Sequence, residues 1–179
     1  MNEESIIRRI RDGERAAMHE LYADSAAYLA GVCQRYVTNQ EDVKDILQDS
    51  FVQIFQRIGS FSPKNHGSLR SWMARIVANK SIDLLRKQRQ LHWDSDSDIG
   101  NIPDEPLDPK LVRIETMHQL IRQLPPGYRA VLNLYVFEQK SHKEIADMLG
   151  IKERTSASQY LRAKAMLKKL MLNHINDEQ

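Results

Sequence analysis

Apolar residues recur along this chain at intervals of three and four, the spacing that gathers them on one face of an α-helix. Ile6, Ile7 and Ile10 share a face over residues 3–12 before Gly13 interrupts. From Glu14 to about Tyr36 the positions Met18, Leu21, Tyr22, Tyr28, Leu29, Val32 and Tyr36 predict a longer helix with those residues in the core. Thr38 or Asn39 can cap the next helix, whose first turn carries Glu41 and Asp42 at the positive end of its dipole. Its buried side reads Val43, Ile46, Leu47, Ser50, Phe51, Ile54, Phe55 and Ile58, and it is expected to end at Gly59. Residues 61–68, FSPKNHGS, hold the Pro, Asn and Gly of an ordered loop, and Ser68 can cap a helix with Leu69, Trp72, Met73 and Ile76 on one side. Farther on, Leu111, Ile114, Met117, Ile121 and Leu124 mark a helix that Pro125 and Pro126 end. Another follows over residues 127–137, with Val131, Leu134 and Tyr135 facing in.

The segment from Ser141 onward is the most informative. Ser141 and Glu144 stand in the S-x-x-E capping-box relation, so each can satisfy a backbone N–H that the first helical turn leaves open. A short helix with Ile145, Met148 and Leu149 should stop at Gly150, and Ile151 plugs the turn. From Glu153 a longer helix buries Ser156, Tyr160, Ala163, Leu167 and Leu170. Its other side shows Arg154, Ala157, Ser158, Leu161, Arg162, Lys164, Lys168 and Lys169. A short helix, a glycine turn and a longer helix with a basic, small-residue face make the helix-turn-helix plan that reads the DNA major groove. An ordinary helical hairpin with a solvated lysine face fits the same spacing.

Composition supports helices throughout: 179 residues hold only seven glycines and six prolines, with 41% hydrophobic residues to build a core. A net charge of +2 says little, but its distribution is uneven. Residues 1–93 hold 14 basic and 11 acidic side chains, residues 94–109 none and 6, and residues 110–179 hold 12 and 7. Two basic bodies therefore flank an acidic, proline-containing connector without periodicity. The expected architecture is all-α: two small helical domains, residues 1–92 and 110–179, joined by an acidic linker over 93–109. A single cysteine, Cys33, excludes an internal disulfide and is expected to be a buried structural thiol. No apolar run suits a signal peptide or a membrane span, so a cytoplasmic protein is expected. The six histidines lack ligand spacing, and there is no phosphate-binding glycine loop or nucleophile motif, so neither cofactor nor catalysis is expected.

Two polar faces invite a function. Asp45, Gln48, Asp49, Gln53 and Gln56 line the outer side of their helix, a pattern that solvation alone also explains. Arg75, Asn79, Ile82, Arg86 and Arg89 fall on one arc of theirs. Arginines clamp phosphates and an asparagine can read a base, although a merely soluble arginine face has the same pattern. Trp72 can stack on an unpaired base, but its place beside Leu69 and Ile76 argues mainly for packing.

Three stretches, EDVKDILQDSFVQIF, SLRSWMARIVANKSIDLLRKQRQ and LPPGYRAVLNLYVFEQKSHKEIADMLGI, resemble in order and spacing the motifs of the extracytoplasmic-function (ECF) sigma factors, small two-domain members of the sigma-70 family that direct bacterial RNA polymerase to promoters. The resemblance covers nearly the whole chain. It implies that Asp45, Gln48 and Asp49 meet the clamp helices of the polymerase β′ subunit, with a further contact to the β flap. It implies that Asn79, flanked by Arg75 and Arg86, contacts the −10 element, and that the 61–68 loop, with Phe61, Asn65 and His66, captures a flipped nontemplate base. The connector would thread toward the RNA exit path. The long helix, through Arg154, Thr155, Ala157, Ser158, Leu161, Arg162 and Lys164, would read the −35 element. An anti-sigma factor is implied as a further partner.

The chain also departs from the family. Its recognition helix reads RTSASQYLRAK, where the family usually reads GTVKSRLxRAR. Arg154 replaces a glycine, Ala157 a basic residue, Gln159 an arginine and Tyr160 an aliphatic residue, so a different −35 sequence is expected. A stand-alone DNA-binding regulator, dimerising through its amino-terminal helices, is the competing reading.

Overall fold

The structure is a computed structural model describing residues 2–63, 67–88, 91–93, 108, 110 and 112–177. Its described elements are helical, and they divide into two compact units, residues 1–84 and 85–179. Most of the acidic connector lies outside the described residues, as do Asn65 and His66.

In the first unit, α1 (Glu3–Arg11) is capped by the Asn2 side chain, which accepts from the Ser5 amide at 3.1 Å. Acids in its first turn and arginines in its last suit the helix dipole. Ile6, Ile7 and Ile10 are buried, each worth about 1.5–3 kcal/mol of transfer free energy. The Arg9 guanidinium grips Glu14 through two bonds of 2.8 and 2.7 Å and Glu20 through one of 2.7 Å, tying α1 to α2 (Arg15–Gln34). Those bonds raise the arginine's pKa and lower that of Glu14. Asn39, one of the two predicted caps, opens α3 (Gln40–Arg57), accepting from the Glu41 and Asp42 amides. A single 3₁₀ turn, Ile58–Ser60, closes it around Gly59. Helix α4 (Ser68–Lys87) supplies buried Leu69, Met73, Ile76, Val77 and Ile82. Cys33 is buried, and burial pushes its thiol pKa up.

Three expectations change here. Tyr22 is 51% exposed rather than core, its ring centre 4.6 Å from that of Phe51 in a tilted pair. Tyr28 is half-buried rather than core, its ring covered by the Arg70 guanidinium at 3.9 Å from the ring centre. Ile82 leaves the polar arc and enters the core.

In the second unit, α5 (Ile114–Gln123) packs Leu120 and Ile121 against Leu132, Ala163, Leu167 and Met171. Pro126 occupies the first turn of α6 (Pro126–Val136), where its missing N–H costs nothing. Arg129 is buried and donates from Nη1 to the carbonyls of Arg122 and Leu124, satisfying the open end of α5. Burial lowers its pKa, with the Arg122 charge adding to the effect. The capping box at Ser141 and Glu144 is present, and α7 (His142–Leu149) ends at Gly150 with φ +67°. Helix α8 (Glu153–Asp177) then buries Ser156, Gln159, Ala163, Leu167 and Met171. Ile114, expected inside, is 73% exposed, and Tyr135 is 38% exposed. Helical spacing gives the face but not how fully it is covered: Tyr135 is covered in part by His142 and Tyr160.

Candidate nucleic-acid interface

Two helices in the second unit carry the DNA-reading plan. The Ser141 hydroxyl oxygen accepts from the Glu144 amide at 3.2 Å, while the Glu144 carboxylate accepts from the Ser141 amide at 2.9 Å. Lys140 adds a contact of 3.1 Å to the same carboxylate. The bonds its carboxylate accepts, from the Ser141 amide first, then Lys140 and the Ser141 hydroxyl, hold the Glu144 pKa down at about 2.

The turn between α7 and α8 is reinforced by His142, whose Nδ1 lies 3.0 Å from the Ser156 hydroxyl. Its ring stacks on Tyr135 at 4.6 Å, and Tyr135 in turn meets Tyr160 at 4.4 Å. Burial lowers the His142 pKa, opposed by the Glu153 charge. Tyr160, the residue standing where the family has an aliphatic one, thus belongs to an aromatic cluster that joins α6, α7 and α8.

Along α8, Arg154 is exposed, and Thr155, Ala157, Leu161 and Arg162 are half-exposed. Two expected members of that face sit elsewhere. Ser158 is 1% exposed and donates to the Thr155 carbonyl at 2.9 Å, so its hydroxyl is turned into the helix's own backbone. Lys164 shares the side of Tyr160, one helical turn away, and its ammonium lies 4.9 Å from that ring's centre.

On α4, Arg75, Asn79 and Arg86 are exposed at helical spacing, interrupted by Asp83. Phe61 and Trp72 are both half-buried, with rings 4.9 Å apart, so each supports the other beside the loop. Asp45, Gln48 and Asp49 are exposed together on α3, and Asp49 is 4.0 Å from the Lys80 ammonium on α4. Val52, one turn farther, is 52% exposed and places an apolar side chain in that polar row.

Sequence reasoning missed a second apolar surface. Ile114, Met117, Val136, Phe137, Tyr160 and Leu167 line a groove of about 370 Å³ between α5, α6 and α8, with His118 and Lys164 as its polar members. Ile114 reads from its spacing as a core residue, while Val136 and Phe137 fall outside the row of Val131, Leu134 and Tyr135 expected to face in, so the pattern gives no sign of this groove. Among the described residues no cluster could hold a metal ion. What these surfaces offer is recognition: cations and an amide for nucleic acid, acids and apolar residues for protein.

Comparison with known proteins is consistent along the chain. Residues 21–90 match the family Sigma-70 region 2, and residues 114–167 match Sigma-70, region 4. The ECF RNA polymerase sigma factor SigE of Mycolicibacterium smegmatis is 26% identical over 174 residues, covering 92% of this chain and 66% of that protein. SigM of Bacillus subtilis, also an ECF RNA polymerase sigma factor, is 28% identical over 138 residues, covering 75% of this chain and 83% of its own. The RNA polymerase sigma-H factor of Pseudomonas aeruginosa is 24% identical, covering 94% and 93%. A solved structure of CnrH in complex with the cytosolic domain of CnrY superposes with a TM-score of 0.53 at 23% identity, covering 96% and 97% of the two chains. At that identity the superposition speaks for the fold.

Proposed function

The chain belongs to the sigma-70 family, in its extracytoplasmic-function branch, and from that membership we propose that it binds core RNA polymerase and directs promoter-specific transcription initiation. The observation that carries this reading is the order of the two family regions, with a capped helix-turn-helix in the second. The family is not an enzyme class, and in this reading the polymerase supplies all the chemistry.

In this reading residues 1–92 bind core and open the −10 region, residues 110–179 grip the −35 element, and the acidic stretch 93–109 connects them. Arg154, Thr155, Ala157, Leu161 and Arg162 present α8 to the −35 major groove, a role that their exposure supports. Asn79 with Arg75 and Arg86, and the Phe61 loop, serve the −10 strand. Asp45, Gln48 and Asp49 face the β′ clamp helices, with Val52 as an apolar anchor at the rim of that row. The apolar groove of the second unit suits the β flap, with Lys164 as a cation at its edge. We assign Lys164 to that groove rather than to DNA, because it stands over Tyr160. An anti-sigma factor is a further expected partner, competing for the same faces. The site of action is the cytoplasm, and among the described residues no helix is long and apolar enough to cross a membrane.

A promoter-binding assay with and without core polymerase tests the proposal. The isolated protein should bind promoter DNA weakly, and the mixture specifically. Tight operator binding by the isolated protein, with no association to core, would establish the stand-alone regulator instead.

A further inference from the structure

Helix α1 holds both ends of the segment that precedes α4. At one end, the Glu3 carboxylate accepts from the Gly67 amide at 2.8 Å and the Leu69 amide at 3.2 Å, with the Ser68 hydroxyl at 3.4 Å. At the other, the Arg11 guanidinium donates to the Phe61 carbonyl at 2.7 Å. Glu3 and Arg11 belong to one helix and lie about 12 Å apart along it. Ile6, Ile7 and Ile10, between them, are buried in the first unit's core. The helix is therefore a fixed ruler, with a charge at each end bonded to backbone that arrives from about fifty or more positions away.

Each bond is of the strong kind, since one partner is ionised. Glu3 also performs the task of a helix cap from outside the helix: its negative charge sits on the open amides at the start of α4, where the dipole favours it. Gly67 reaches that carboxylate with φ +85°, a backbone conformation that glycine adopts without strain. Phe61, fixed through its carbonyl by Arg11, keeps its ring against Trp72. Neither Glu3 nor Arg11 falls on the exposed stripe of α4 or the core-facing row of α3.

We infer that Glu3 and Arg11 are positioning residues for promoter opening: they hold Phe61 and the first amides of α4 at a set separation, so that both meet an unpaired base in a preformed geometry. This rests on the reading of that segment as the element that captures the flipped −10 base. Preorganisation of this type acts on the opening step, because the separation of Phe61 from the first amides of α4 is set before the strands part.

The test compares holoenzymes carrying Glu3→Ala or Arg11→Ala on a duplex promoter and on the same promoter pre-opened by mismatches across the −10 region. On the duplex, each variant should form open complexes about tenfold more slowly, the factor expected for loss of a charge-assisted hydrogen bond. On the pre-opened template both should match wild type, and core affinity should be unchanged. Arg11→Lys, which keeps a cationic donor, should recover opening. An equal defect on both templates would mean general damage to the fold and overturn the inference, as would wild-type opening on the duplex. Phe61→Ala separates the two layers. If it abolishes opening while the α1 variants open normally, the positioning role alone fails; if it opens normally, the reading of the segment fails with it.

Discussion

Ser141 and Glu144 bond to each other's backbone amides in both directions, at 3.2 and 2.9 Å, so one pair of side chains satisfies two open donors at the start of α7. Ser141→Ala should lower the stability of the helix-turn-helix by about 1 kcal/mol, read as a shift in the denaturant midpoint with an unchanged slope. The same pair sets a pH dependence. The folded Glu144 pKa, about 2, lies below the unfolded carboxylate range near 4.3. Its contribution is therefore complete above pH 4.3 and lost as the pH falls from there through 2. Glu144→Gln should flatten that part of the stability profile, and an unaltered acid limb would refute the assignment.

Arg129 satisfies the last carbonyls of α5 from inside the second unit's core. Arg129→Met keeps much of the volume but leaves buried acceptors open, which should cost about 2 kcal/mol in chemical denaturation. If stability is retained, the carbonyls have found other donors.

Asp49 is exposed, and its 4.0 Å contact to Lys80 belongs to a class of surface pairs worth about 0–1 kcal/mol. Reversing its charge should spare the fold and damage the interface. Asp49→Arg is expected to weaken core binding by tenfold or more at an unchanged melting temperature, and Val52→Asp should do the same. Fluorescence anisotropy with labelled protein and core enzyme reads both, and wild-type affinity would remove this row from the interface.

Arg154 and Asn79 should separate the two DNA contacts. If Arg154 holds one −35 phosphate, Arg154→Ala lowers the slope of log K against log salt by about 0.9. Asn79→Ala should instead leave −35 binding intact and slow open-complex formation. Equal losses at both steps would contradict the division of labour.

What could be read in advance follows the range of each interaction. Ser141, Glu144 and Gly150 were legible because cap, partner and left-handed stop lie within ten residues. Val43, Ile46 and Ile54 were legible because periodicity alone fixes a buried stripe. Ile114, Tyr22 and Tyr135 were misjudged by the same rule, since spacing gives a face and not what covers it. Ser158 and Lys164 were expected by pattern on the outer face of α8, and local bonding that spacing does not announce engages both: the Ser158 hydroxyl donates to the Thr155 carbonyl, and the Lys164 ammonium lies over Tyr160. Glu3, Arg11 and Arg129 act on backbone carbonyls and amides, which carry no residue signature, so no sequence pattern could announce their partners. Asn65, His66 and most of the acidic connector lie outside the described residues.

The central claim is promoter direction, and multi-round transcription from a library of genomic promoters measures it directly. Core polymerase is assayed alone, with this protein, and with the protein carrying both Asp49→Arg and Arg154→Ala. The account predicts a discrete set of new start sites that requires the protein, shares −35 and −10 elements at fixed spacing, and disappears with the double variant. Transcripts identical with and without the protein would contradict it.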